Sequence, residues 1–95
     1  MAEKQESREN VVLIGKKPSM AYVMAVVTQF GSGQKEVRIK ARGKAISKCV
    51  DVAEIVRNRF IKDAKVKSIE ISTHQVETDK NEKFGVSSIS ITLAK

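Results

Sequence analysis

The chain has 95 residues, 41% apolar and 4% aromatic, with 18 basic residues against 11 acidic and a formal net charge of +7. That length suits one domain with one modest core, which must be built from Val, Ile, Ala, Leu and Met rather than aromatic rings. A single cysteine excludes an internal disulfide framework and no apolar run approaches a membrane span; the polar start MAEKQESREN resembles neither a signal nor a transit peptide, so a soluble intracellular protein is expected.

Residues 1–9 read as a flexible tail ahead of a single domain over 10–95. Val11, Val12, Leu13 and Ile14 form an unbroken apolar run, which predicts a strand buried on both faces or central in its sheet, ended by Gly15. Pro18 suits the first position of a helix. Met20, Val23, Met24, Val27 and Phe30 recur at three and four, and Ala21, Ala25 and Val26 widen the stripe, so a largely buried helix is expected over 20–30. Gly31-Ser32-Gly33 stops it. From 35 to 41 the pattern alternates, with Val37, Ile39 and Ala41 on one face and Glu36, Arg38, Lys40 and Arg42 on the other. Gly43 breaks that strand. A second helix follows over about 44–60, with Ile46, Cys49, Val50, Ala53, Val56 and Phe60 as its core stripe.

Ile69 and Ile71 mark a third strand over 66–77, TDKNEK a polar turn over 78–83, and Ile89, Ile91 and Leu93 a fourth strand over 86–93. The inner ends of these two strands are apolar. The outer ends, STHQVET and KFGVSS, are mostly polar or small, so the hairpin should outrun the core and project as an arm. The order is β-α-β-α-β-β in one α/β domain, an α+β two-layer sandwich. A mixed four-stranded sheet should carry both helices on one face. The first β-α-β unit is expected to be a right-handed parallel crossover and the last two strands an antiparallel hairpin.

The residues of metal and nucleophilic chemistry are scarce. One histidine, His74, and one cysteine, Cys49, cannot make the usual zinc sets or a Cys-His pair within one chain. Cys49 falls on the apolar stripe and reads as core. His74 has outward parity and reads as solvated or facing a nucleic acid. Asp51 and Glu54 lie three apart on a solvated helical face, where salt bridging is the simpler role. IGKKPS sits between strand and helix as a phosphate loop does, but it lacks G-x-x-x-x-G-K-[ST]. No metal, no cofactor and no enzymatic activity are expected.

What the sequence has instead is focused charge. Residues 35–48 hold Lys35, Arg38, Lys40, Arg42, Lys44 and Lys48 against one acid, Glu36. With Lys16 and Lys17, these segments carry eight basic residues, and the rest of the chain holds ten basic and ten acidic residues. Such localisation is the footprint of a polyanion site. In a parallel β-α-β unit, Lys16 and Lys17 after the first strand and Arg42 after the second reach the same sheet edge. Lys44 and Lys48 decorate the start of the following helix at that edge, against the preference of the helix dipole for acids. Arg38 and Lys40 point from a strand face and belong to the site less directly. Few aromatics are free to stack on bases, so binding should be directed to the phosphate backbone. The hairpin, with Lys80 and Lys83, reads either as an arm lying along or entering a minor groove or as a plain surface turn.

The runs NVVLIGKKPSMAYVMA and IKARGKAISKCVDVAEIVRNRF closely resemble the Alba family of archaeal chromatin proteins, and the resemblance extends over about residues 10–95. It implies small dimers, with this chain or a paralogue as partner, that coat duplex DNA with little sequence preference and also bind RNA. It implies the same element order, like that of the C-terminal domain of a bacterial translation initiation factor. Lys16 and Lys17 match the family's paired lysines, Lys16 being the one whose acetylation weakens DNA binding. Arg42 and Lys44 match its basic loop, where Arg is common at the second position; Lys44 keeps the charge without the guanidinium fork. Asn58, Arg59 and Phe60 match a contact between neighbouring dimers, although Phe60 also reads as ordinary core at a helix end. The acidic tail residues Glu3, Glu6 and Glu9 depart from the family pattern, and Cys49 stands where Ala is common.

The expectation is a cytoplasmic, chromosome-associated architectural protein that compacts DNA, with no membrane partner. The alternative is an accessory RNA-binding subunit of a ribonucleoprotein RNA-processing complex.

Overall fold

The computed structural model describes residues 10–95; the expected tail over 1–9 lies outside the described residues. Four strands, β1 (Val11–Leu13), β2 (Glu36–Arg42), β3 (Lys65–Glu77) and β4 (Lys83–Ala94), form one sheet in the order β1-β2-β4-β3. Helix α1 (Ser19–Gly31) connects β1 to β2, which pair in parallel. Helix α2 (Ile46–Ile55) connects β2 to β3, entered through a 3₁₀ turn (Gly43–Ala45) and left through a π-helical turn (Val56–Phe60). β4 is antiparallel to both β2 and β3. This is the expected order and mixed sheet.

The core lies between the helices and one sheet face. Val37 and Ile39 of β2 sit opposite Leu93 and Ile91 of β4, and all four are buried against Val23, Val26, Val52 and Val56 of the helical layer. Each such side chain contributes about 1.5–3 kcal/mol by leaving water, which is how a core with few rings is held.

Several sequence expectations change here. β1 is an edge strand with one covered face: Val12 and Ile14 are buried, whereas Leu13 is 63% exposed. A four-residue apolar run carries no parity information, so its length alone could not tell an edge from a centre. α1 is turned from the expected stripe. Val23, Val26 and Phe30 are buried, while Met20 and Met24 are nearly half exposed. In α2 the buried set is Cys49, Val52 and Ala53, continued by Val56, and Val50 and Phe60 face outward. Pro18 precedes α1 as its cap residue rather than opening it.

The hairpin also differs from its reading. β3 and β4 pair without a gap from the core to Glu77↔Lys83, apart from a bulge between Val66 and Ser68. Lys83 therefore begins a strand instead of closing the turn. The connection is tight: Thr78 donates its N–H to Glu82 O at 2.8 Å, Thr78 Oγ1 accepts the amides of Lys80 and Glu82, and Asn81 takes the left-handed conformation at φ 64°. β3 is the other edge of the sheet. Ile69 and Ile71 share a face with Ile91 and Ile89 through their cross-strand pairing, but the helices do not extend over them. They are 57% and 79% exposed.

Candidate nucleic-acid interface

The parallel β1–β2 register decides where the basic segments meet. Leu13 pairs with Lys40, and Ile14 N donates to Lys40 O at 2.8 Å. The chain after Ile14 and the chain after Arg42 therefore leave the sheet at one end. Lys16 and Lys17 emerge there beside Arg42 and Lys44, and all four are exposed. Gly43 turns the chain at φ 60°, a left-handed conformation that a side chain would strain, and so starts the 3₁₀ turn carrying Lys44. Neither that turn nor the first turn of α1 or α2 contains an acid.

The hairpin leaves from the same end. Arg42, the last residue of β2, pairs with Ser88, and β4 begins five residues earlier at Lys83. At about 3.4 Å per residue the arm extends about 17 Å past the basic edge. Lys80 at its tip and Lys83 at its outer end are exposed. They share that tip with Asp79 and Glu82, so the arm is not a concentration of positive charge as the edge is.

Lys48 reaches the edge but turns inward. Its Nζ donates to Lys17 O at 2.7 Å and to Gly15 O at 3.3 Å, and the side chain is half-buried. Lys40 lies elsewhere. With Arg38 and Arg42 it forms a row on the sheet face opposite the helices, beside a shallow groove of about 790 Å³ also lined by Ser72, His74, Ser88 and Ser90. Asn58, Arg59 and Phe60 occupy the exposed π-helical turn, well separated in sequence from the basic loops. Asn58 and Arg59 line a crevice of about 370 Å³ with Ser19, Asp51, Glu54 and Ile55.

One participant was missed from the sequence. Tyr22 Oη accepts the amide hydrogens of Gly15 at 2.9 Å and Lys17 at 3.0 Å. A polar-tipped ring in the apolar first half of the helix, seven residues from a glycine, was the available signal. Cys49 is buried with Sγ 3.5 Å from Ile39 O, and burial pushes its thiol up to about 11. Among the described residues, no group of three or more His, Cys, Asp or Glu side chains is placed to hold a metal ion. No described helix is long and apolar enough to cross a membrane.

The Alba family model matches residues 10–73. The chain is 59% identical over 87 residues to DNA/RNA-binding protein Alba 1 of Archaeoglobus fulgidus, covering 92% of this chain and 97% of the relative. It is 57% identical over 89 residues to DNA/RNA-binding protein Alba of Methanothrix thermoacetophila, covering 94% and 99%. The solved structure of Alba from Thermoplasma volcanium superposes with a TM-score of 0.86 at 51% identity, covering 90% of this chain and all of that one.

Proposed function

The chain belongs to the Alba family, and from that premise we propose that it is a non-enzymatic protein that binds DNA and RNA through phosphate contacts made by Lys16, Lys17, Arg42 and Lys44. One observation carries the reading: the parallel β1–β2 pairing sets two basic segments, distant in sequence, at one end of the sheet, with the hairpin projecting beyond it. Exposed cations on a rigid edge, with few rings free to stack, suit shape-tolerant backbone binding. Such binding coats and compacts chromosomal DNA. The relatives named as DNA/RNA-binding proteins support both targets.

A dimer completes the reading. Ile69 and Ile71 leave an apolar strip on β3 that a second copy, or a paralogue, would cover. Two copies bring eight cations to bear, with Lys80 and Lys83 on each arm reaching the flanking duplex and Asn58, Arg59 and Phe60 touching the next dimer. Acetylation of exposed Lys16 removes one charge per copy and weakens binding.

The test is a titration of random-sequence duplex DNA and equal-length duplex RNA across 50–200 mM salt. About eight phosphate contacts give a log–log slope near −7 and a loss of about 10⁴-fold in affinity over that range. Steep parallel slopes on both duplexes support the reading. Tight RNA binding with shallow, weak DNA binding would replace it with the RNA-complex subunit.

A further inference from the structure

We infer that Tyr22 and Lys48 are positioning residues that clamp loop 15–17 in the shape that displays Lys16 and Lys17, an inference that rests on the function proposed for the basic edge. The backbone of this surface loop would ordinarily be left to water. Here the residues on both sides of Lys16 have their N–H and C=O groups taken by side chains. Tyr22 Oη accepts from Gly15 N and Lys17 N, and Lys48 Nζ donates to Gly15 O and Lys17 O. The two clamping side chains come from different helices, so the loop is gripped from α1 and from α2 together.

The role of Lys48 follows from where its charge goes. A lysine kept only to meet phosphate would extend into solvent, as Lys16, Lys17 and Lys44 do. Lys48 is half-buried beside two other lysines, an arrangement that like-charge repulsion opposes. The two carbonyl dipoles offset that repulsion, and the 2.7 Å contact to Lys17 O is the length of a charge-assisted hydrogen bond. Gly15 serves the other half of the clamp. A Cβ at this position would lie 3.2 Å from Tyr22 Oη, a tight contact that would press the hydroxyl back by a few tenths of an ångström, and glycine leaves that space open. With the loop pinned, binding orders the lysine side chains alone and not the backbone that carries them. The clamp also joins the Lys16–Lys17 loop to the helix that follows Lys44, so the two basic segments present one fixed surface.

The experiment combines amide hydrogen exchange at Gly15 and Lys17 in the free full-length protein with the duplex DNA salt series. Tyr22→Phe, Lys48→Met, Lys48→Arg and Lys17→Gln are compared. Tyr22→Phe and Lys48→Met should each speed exchange at both amides and raise Kd by about 2- to 12-fold, with the salt slope unchanged. Lys48→Arg keeps donors for the carbonyls and should restore both readouts. Lys17→Gln, in contrast, should lower the slope by about 0.9 for each phosphate left unneutralised. A fall in slope in Lys48→Met equal to that of Lys17→Gln would make Lys48 a phosphate ligand and overturn its positioning role. Unchanged exchange would show that there is no clamp, and faster exchange with unchanged Kd would show a clamp with no part in binding. Failure of the functional reading is seen separately, as salt-independent binding by the unsubstituted protein.

Discussion

Replacing Lys16 with Gln isolates one charge at the edge. The side chain is exposed and makes no described hydrogen bond or ion pair, so fold stability should change by less than about 0.5 kcal/mol. The effect on binding can be worked from counterion release. Each phosphate neutralised contributes about −0.9 to the slope of log K against log salt. A charge whose contribution vanishes near 1 M salt is then worth about 0.9 log units at 0.1 M, or about eightfold. A dimer gives up two such charges, so affinity should fall about 60-fold at 0.1 M and about ninefold at 0.3 M, with the slope shallower by about 1.8. Fluorescence anisotropy on a short labelled duplex, at five or six salt concentrations, reads both numbers. Enzymatic acetylation of the unsubstituted protein at Lys16 should reproduce them. A variant whose line runs parallel to the parent would refute the reasoning, because removing a charge that neutralises phosphate must change the slope along with the affinity.

Other expectations concern surfaces the edge does not use. The parent should sediment as the proposed dimer and Ile71→Lys as a folded monomer, since the residue is 79% exposed in the isolated protomer; equal masses for the two proteins would refute β3 as the interface. In the hairpin, a Cβ at Gly85 would lie 2.8 Å from Thr73 Cγ2. Gly85→Ala should therefore be about 1 kcal/mol more favourable in a Thr73→Ser background than alone, measured by urea denaturation, and additivity would remove the steric explanation. The Cys49 thiol, raised from 9.0 to about 11 by burial, favours the folded state fully below pH 9. As pH rises from 9 toward 11 the unfolded chain ionises first and stability should fall, by at most about 2–3 kcal/mol. Cys49→Ala should remove that alkaline decline, and an identical pH profile in the variant would exclude the thiol as its cause.

Where periodicity met a half-buried surface, the sequence was readable. β2 alternates cleanly because one of its faces is core and the other solvent, so Val37, Ile39 and Ala41 stand out as its buried face. Both helices were located within a few residues, but their orientation was not. Met20 and Met24 fit the same three-and-four spacing as Val23, and nothing in the spacing says which side of a broad apolar stripe meets the sheet. Ile69 and Ile71 have the parity of core residues and lie beyond the reach of the helices, which only the placement of β3 at the sheet edge reveals.

Sequence alone determined the element order and the concentration of positive charge in two segments. These depend on local pattern and on counting, and neither requires knowing what a residue touches. Tertiary structure decided which charges face outward. Lys48 belongs by composition with Lys16, Lys17 and Lys44, yet its ammonium is spent on carbonyls 31 and 33 residues away in the chain, while Tyr22, uncharged and set in an apolar helix, closes the other side of the same loop. A hydrogen bond depends on distances of a few tenths of an ångström between groups brought together by packing, and sequence spacing does not encode such distances across separate elements.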